Sequence, residues 1–219
     1  MTTSPWVWFD VDDVLVDSTP LFQESMDRWT GRHVPWESWP HNHFPDFYGI
    51  QSHDTEAIAQ MKAIWKKDRV LERAPLRSGV EEALQRIHDL GYPMGLITAR
   101  GWHEEGAQIT QDLVDRHRLP VQKIISMDYS QTKADFLQAH DAEIVAFVDD
   151  TPRHVEGCVQ AGLAAFLLHH PWNATAVHLP RIHHLQELAD QLSSRSRAKL
   201  ALWPGPNGAS GRTSGSRLR

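Results

Sequence analysis

Four aspartates, Asp10, Asp12, Asp13 and Asp17, fall within eight positions directly after the apolar run WVWF that begins at Trp6. Carboxylates this close repel one another. They become tolerable around a hard divalent cation, and oxygen donors with few protein ligands suit Mg²⁺. Asp10 and Asp12 are two apart, and a strand end splays its alternate side chains. The pair can therefore enter one crevice with separate tasks. Thr98 lies in the middle of the segment LITAR, Lys133 is the second residue of TKADFL, and Asp149-Asp150 ends VAFVDD. Together they form a set of oxygen donors facing one ammonium.

Such residues need a scaffold that brings them to one edge. Five β-rich runs are visible: one from Trp6, then Tyr92–Arg100, Val121–Ser126, Ala142–Asp150 and Leu163–His170. Between them lie segments of helical period: 80–90, 104–117, 132–140 and 152–161. Near-continuous apolar strands alternating with amphipathic helices predict an α/β fold, a parallel sheet covered on both faces. Ligands bind such sheets beyond the carboxyl ends of the strands. The acidic cluster, Thr98 and Asp149-Asp150 all fall there.

Residues 19–75 break the alternation. They hold Trp29, Trp36, Trp39, Phe44, Phe47, Tyr48 and Trp65, and Pro35, Pro40 and Pro45 interrupt the middle. Helices are predicted over 21–29 and 55–67. The segment reads as a small helical insert, with 1–18 and 76–192 as the core. Residues 193–219 read as a basic Gly/Ser/Pro-rich disordered tail. From Arg195 on, the chain carries six basic residues and no acid, against a net charge of -6 overall. The whole is not shaped for a polyanion. One cysteine, Cys158, excludes an intrachain disulfide. No leader pattern opens the chain and no apolar run is long enough to span a bilayer, so a cytoplasmic protein with no membrane partner is expected.

The order Asp-x-Asp, Thr, Lys, Asp-Asp resembles the four motifs of the haloacid dehalogenase superfamily of phosphohydrolases. FDVDDVLVDS resembles its first motif, LITAR its second, TKADFL its third and VAFVDDTP its fourth. The resemblance implies a Rossmann-like three-layer core. It implies that Asp10 attacks phosphorus and becomes an aspartyl-phosphate, and that Asp12 protonates the leaving oxygen and then deprotonates the hydrolytic water. It also implies that Thr98 holds phosphoryl oxygens, that Lys133 offsets charge, and that Mg²⁺ lies between Asp10, the carbonyl of Asp12 and Asp149. Asp150 is a candidate support for the metal. Arg100 could reach a phosphate or pair with a nearby acid. Lys123 is the rival to Lys133, but it lies inside a predicted strand. Asp13 stands where the superfamily often has glycine.

An insert between the first and second motifs has the place of the superfamily's C1 cap, which closes over the site and selects the leaving group. AIWKKDRVLERAPLRSGVEEALQRI, LLHHPWN and LPRIHHLQELADQL are similar to stretches of 5′(3′)-deoxyribonucleotidases. The expected activity is then Mg²⁺-dependent hydrolysis of phosphomonoesters, with nucleoside monophosphates as substrates. Trp36, Trp39, Phe44 and Phe47 are candidates to stack on a base, or to form only the insert's own core. Two alternatives stay open: a phosphatase acting on polynucleotide ends, which the basic tail could help hold, and a non-catalytic regulatory module of the same fold.

Overall fold

A computed structural model describes residues 4–39, 41, 43–128, 131–140 and 142–201. Six strands form one parallel sheet: β1 (Trp6–Phe9), β2 (Met94–Thr98), β3 (Lys123–Ser126), β4 (Ile144–Asp149), β5 (Ala165–Leu168) and β6 (Arg181–Ile182). Their order is β3-β2-β1-β4-β5-β6, so β1 lies between β2 and β4. Phe9 is level with Leu96 on one side and Val148 on the other.

Among the described residues nine α-helices accompany the sheet: α1 (Thr19–Thr30), α2 (Phe44–Phe47), α3 (Thr55–Lys67), α4 (Val70–Arg73), α5 (Val80–Asp89), α6 (Gly106–His117), α7 (Lys133–Gln138), α8 (Pro152–Gln160) and α9 (Leu185–Ala201). Strand side chains alternate between the two faces. Val7 and Phe9 pack with Leu84 and Ile87 of α5, Leu113 of α6 and Leu188 of α9. Trp8 and Phe147 pack on the other face with Leu137 of α7 and Val155 and Cys158 of α8. Burial on both sides is why these strands read as unbroken apolar runs. This is the three-layer α/β architecture that the alternation predicts.

Differences from the expected elements are local. β6 has two residues, too short to show a period. The four-residue helices α2 and α4 leave no pattern either. α9 carries on to Ala201, so residues 193–201 are helical and not part of a disordered tail. Arg, Ala, Lys and Leu are good helix formers, which outweighs the serines there. Residues 202–219 lie outside the described residues.

Helices α1 to α4 all fall between β1 and β2. They share an apolar cluster of Phe22, Met26, Trp39, Tyr48, Met61, Trp65 and Leu71. The chain enters and leaves this region side by side: Val16 and Leu76 form an antiparallel bridge, Asp17 N–H donates to the Pro75 carbonyl at 2.9 Å, and Arg77 N–H donates to the Leu15 carbonyl at 2.9 Å. No helix among the described residues is long and apolar enough to cross a membrane.

Candidate active site

Asp10 is the first residue past β1, and its N–H is held by the Val148 carbonyl of β4 at 2.9 Å. That bond fixes the nucleophile candidate against the strand that supplies Asp149. Lys133 is the first residue of α7, whose cap is the Thr132 hydroxyl accepting from Asp135 N–H at 3.3 Å. Its ammonium lies 2.8 Å from Asp10 Oδ1 and donates to Asp149 Oδ2 at 2.7 Å. All three side chains are buried. Lys123 instead sits exposed on β3, its Nζ 5.9 Å from the centre of the Trp8 ring.

Oxygens of Asp10, Asp149 and Asp150 lie within 4.8 Å of one another. Three carboxylates are thus buried together, and one ammonium contacts two of them, Asp10 and Asp149. Burial first, then the repulsion of Asp149 and Asp12, push Asp10 up to about 7 against the pull of Lys133. Asp150 is pushed up well above the usual range by burial and by Asp149. Burial also works against the charge on Asp149, but Lys133 and then His154 outweigh it and hold that carboxylate low. The cluster is short of positive charge, and its donors are hard oxygens. A divalent cation of the Mg²⁺ type fits that deficit and that donor chemistry.

The remaining oxygens of the cluster are well held. Asp149 Oδ1 accepts Thr151 N–H at 2.8 Å, and His154 Nδ1 lies 3.1 Å from Oδ2. Asp150 Oδ2 accepts the indole N–H of Trp172 at 3.0 Å, and its backbone carbonyl accepts Asn173 Nδ2 at 2.8 Å. Such outer bonds fix the orientation of candidate ligands.

Thr98 ends β2, beside the end of β1. Its hydroxyl is fully buried and has no hydrogen-bond partner among the described residues. An unmade hydrogen bond in that setting costs about 1–3 kcal/mol, so the hydroxyl is available to an incoming oxygen. Asp12 has a different partner. Its carboxylate accepts two bonds from Arg100, at 2.8 Å from Nε and 2.7 Å from Nη2. Of the two partners expected for Arg100, a substrate phosphate or a neighbouring acid, the structure pairs it with the acid.

Asp13 has φ 56°, a left-handed conformation that favours glycine but which Asp tolerates better than most. Its carboxylate accepts from Ser18 N–H, Ser18 Oγ, Thr19 N–H and Thr19 Oγ1 at 2.6–3.1 Å. It therefore ties down the start of α1, which explains an aspartate at a position where glycine would be unstrained.

The aromatic candidates divide. Trp36 is partly exposed and meets Trp172 edge-to-face, 5.7 Å between ring centres. Trp39 is buried and stacks on Phe47 at 4.8 Å within the helical region. The side chain of Phe44 lies outside the described residues. Trp172, His154 and Asn173 have direct bonds to the acidic cluster that the sequence does not signal. The only local hint is their place just after two apolar strands.

Solved structures share this fold. A haloacid dehalogenase-like family hydrolase from Streptococcus pneumoniae matches with TM-score 0.66 and 19% identity, covering 87% of this chain and 99% of its own. A family IA, variant 3 haloacid dehalogenase hydrolase from Entamoeba histolytica gives 0.60 and 15%, with coverage of 86% and 99%. A predicted phosphoglycolate phosphatase from Haemophilus somnus gives 0.59 and 16%, with coverage of 89% and 99%. No family model matches the sequence, and no curated protein matches it. The fold is that of the haloacid dehalogenase hydrolases.

Proposed function

We propose that the protein is a Mg²⁺-dependent phosphomonoesterase working through an aspartyl-phosphate on Asp10. The observation that carries this reading is the Lys133 ammonium bridging Asp10 and Asp149 at 2.8 and 2.7 Å, at the strand ends where the Thr98 hydroxyl has no partner among the described residues. Asp10, Asp149 and Asp150 are the side chains that would hold the metal, with the Asp12 carbonyl as a further candidate. When bound, the ion neutralises the repulsion between an attacking carboxylate and a phosphate dianion.

The chain's own residues supply the rest. Thr98 donates to a phosphoryl oxygen. Lys133 offsets negative charge as it gathers between Asp10 and the phosphoryl group. An oxygen of Asp10 forms the new bond to phosphorus while the bond to the leaving oxygen breaks, and Asp12 gives its proton to that oxygen. Asp12 then takes a proton from the water that attacks the aspartyl-phosphate, which releases inorganic phosphate and restores both groups.

Helices α1 to α4 act in this reading as a cap over the site, with nucleoside monophosphates as the favoured substrates. Trp36 supports that choice, because it is partly open and rests on Trp172, which itself bonds Asp150. Stacking on an aromatic ring is worth about 1–3 kcal/mol per base. The test is phosphate release from a panel of nucleotides, sugar phosphates, phosphoglycolate and end-phosphorylated oligonucleotides, with Mg²⁺ and with EDTA. Turnover should vanish with EDTA and in Asp10→Asn, and nucleotides should lead the panel. Wild-type turnover by Asp10→Asn would remove the assigned nucleophile, and a leading sugar phosphate would remove the substrate class.

A further inference from the structure

We infer that Arg100 is the positioning residue for Asp12, the element that aims the proposed acid at the leaving oxygen. The inference rests on the phosphatase reading above and extends it to a residue that never meets the substrate.

Arg100 is 1% exposed, one of the largest side chains in the molecule that is sealed completely. A guanidinium in that position is costly unless it is paired and fully bonded. Its partner is Asp12, reached through a fork that engages both carboxylate oxygens at 2.7 and 2.8 Å. The Asp12 side chain keeps 24% of its surface open. The arginine therefore holds the carboxyl group through both oxygens and leaves the rest of the side chain open. A planar fork fixes the plane of the carboxyl as well as its distance.

The arginine is itself held from behind. Nη1 donates to Thr110 Oγ1 at 3.2 Å, and that hydroxyl donates to the Gly106 carbonyl at 2.8 Å. The first turn of α6 packs directly against the residue: a Cβ added at Gly106 would lie 2.3 Å from the Arg100 carbonyl oxygen and 3.0 Å from its Cβ. Gly101 N–H is fixed to the Met127 carbonyl at 3.0 Å, and a Cβ at Gly101 would lie 2.7 Å from that oxygen. Two glycines and a threonine thus leave Arg100 a single place. Binding phosphate would require a guanidinium open to the cavity, and this one is not. What the arrangement does supply is a fixed direction for Asp12, and reacting groups must be held within about 0.5 Å and 10–20°.

The signature of such a role is dependence on the leaving group. An alkoxide needs its proton as the bond to phosphorus breaks, whereas 2,4-dinitrophenolate leaves without help. The experiment measures kcat/KM, which reports phosphoryl transfer to Asp10, for the best alkyl phosphate of the panel and for 2,4-dinitrophenyl phosphate. It uses the full-length protein with Mg²⁺ and the variants Arg100→Lys, Thr110→Val and Asp12→Asn. Arg100→Lys keeps the charge and loses the fork. It should lose about 100-fold on the alkyl phosphate and no more than about 5-fold on the dinitrophenyl ester. Thr110→Val should show the same selectivity with a smaller loss, and it decides the matter if Arg100→Lys does not fold. Equal losses on both substrates, or none, in a folded variant overturn the inference. If Asp12→Asn is leaving-group selective while the other two variants are not, Asp12 stands as the acid and only Arg100 loses its role. A wild-type protein inert toward both substrates removes the phosphatase reading, and this inference with it.

Discussion

Asp150 is a buried carboxylate that the fold holds in place before any cation arrives. The indole N–H of Trp172 and the hydroxyl of Thr151 each bond one of its oxygens. Those bonds do not offset burial and the repulsion from Asp149, so Asp150 resists ionisation. A metal ion reverses that balance and should stabilise the protein by about 2.7 kcal/mol at a hundred times its Kd. The Tm in 10 mM MgCl₂ should therefore exceed that in EDTA, and the difference should shrink in Asp150→Asn. Trp172→Phe keeps the ring against His170, with which Trp172 stacks at 4.2 Å, and deletes the indole donor. It should weaken Mg²⁺ binding by roughly 10- to 100-fold with the fold intact, as read by calorimetric titration. At this scale the sequence was informative where residues lie at strand ends. Asp10, Thr98 and Asp149 are legible because an apolar run stops beside each. The fork between Arg100 and Asp12 joins positions 88 apart, and no local pattern announces it.

Among the elements, β1 and β2 fit each other too closely to allow substitution. Gly95 faces the Trp8 ring, and a Cβ there would lie 2.5 Å from two of its carbons. Trp8 is fully buried, stacked against Trp6 at 5.6 Å and against the edge of His140, so the ring has nowhere to move. Gly95→Ala should cost about 1–3 kcal/mol through overpacking, seen as a lower urea midpoint with an unchanged m-value. A midpoint equal to wild type would mean that Trp8 can shift. The longer helices were visible in the sequence because period 3.6 needs two or three turns to emerge; α3 was read at its observed bounds, Thr55–Lys67. α2, α4 and β6 are held by neighbours rather than by pattern, as Ile182 shows: it is buried in the core beside Leu168 at the very edge of the sheet.

Across the whole molecule, His170 joins three regions. It follows β5, its Nε2 lies 2.7 Å from the Asp13 carbonyl beyond β1, and the same nitrogen lies 3.3 Å from Arg77 beside the exit from α4. A carbonyl only accepts, so Nε2 carries the hydrogen. Burial, then the positive charge of Arg77, depress its pKa from 6.5 to about 3. A neutral folded histidine gives a definite sign. Below about pH 6.5 the unfolded chain takes up a proton that the folded one refuses, so stability falls with acid until about pH 3. His170→Gln removes that titration. Relative to this variant, wild type should lose a few kcal/mol between pH 6.5 and 3, measured by urea unfolding across that range. Parallel curves would show that His170 protonates freely in the native state. Nothing in the sequence distinguished His170 from His169, because the difference lies in what the fold packs around each.

The paired crossing at Val16 and Leu76 has one more consequence. Roughly sixty intervening residues begin and end on adjacent, hydrogen-bonded positions, about 5 Å apart in an antiparallel pair. To the rest of the chain, that whole excursion is topologically equivalent to a hairpin turn. Lineages could exchange it for a shorter or longer one without re-threading the sheet, and an engineer could transplant a foreign module between Asp17 and Pro75 while the strand ends that carry Asp10, Thr98 and Asp149 keep their register.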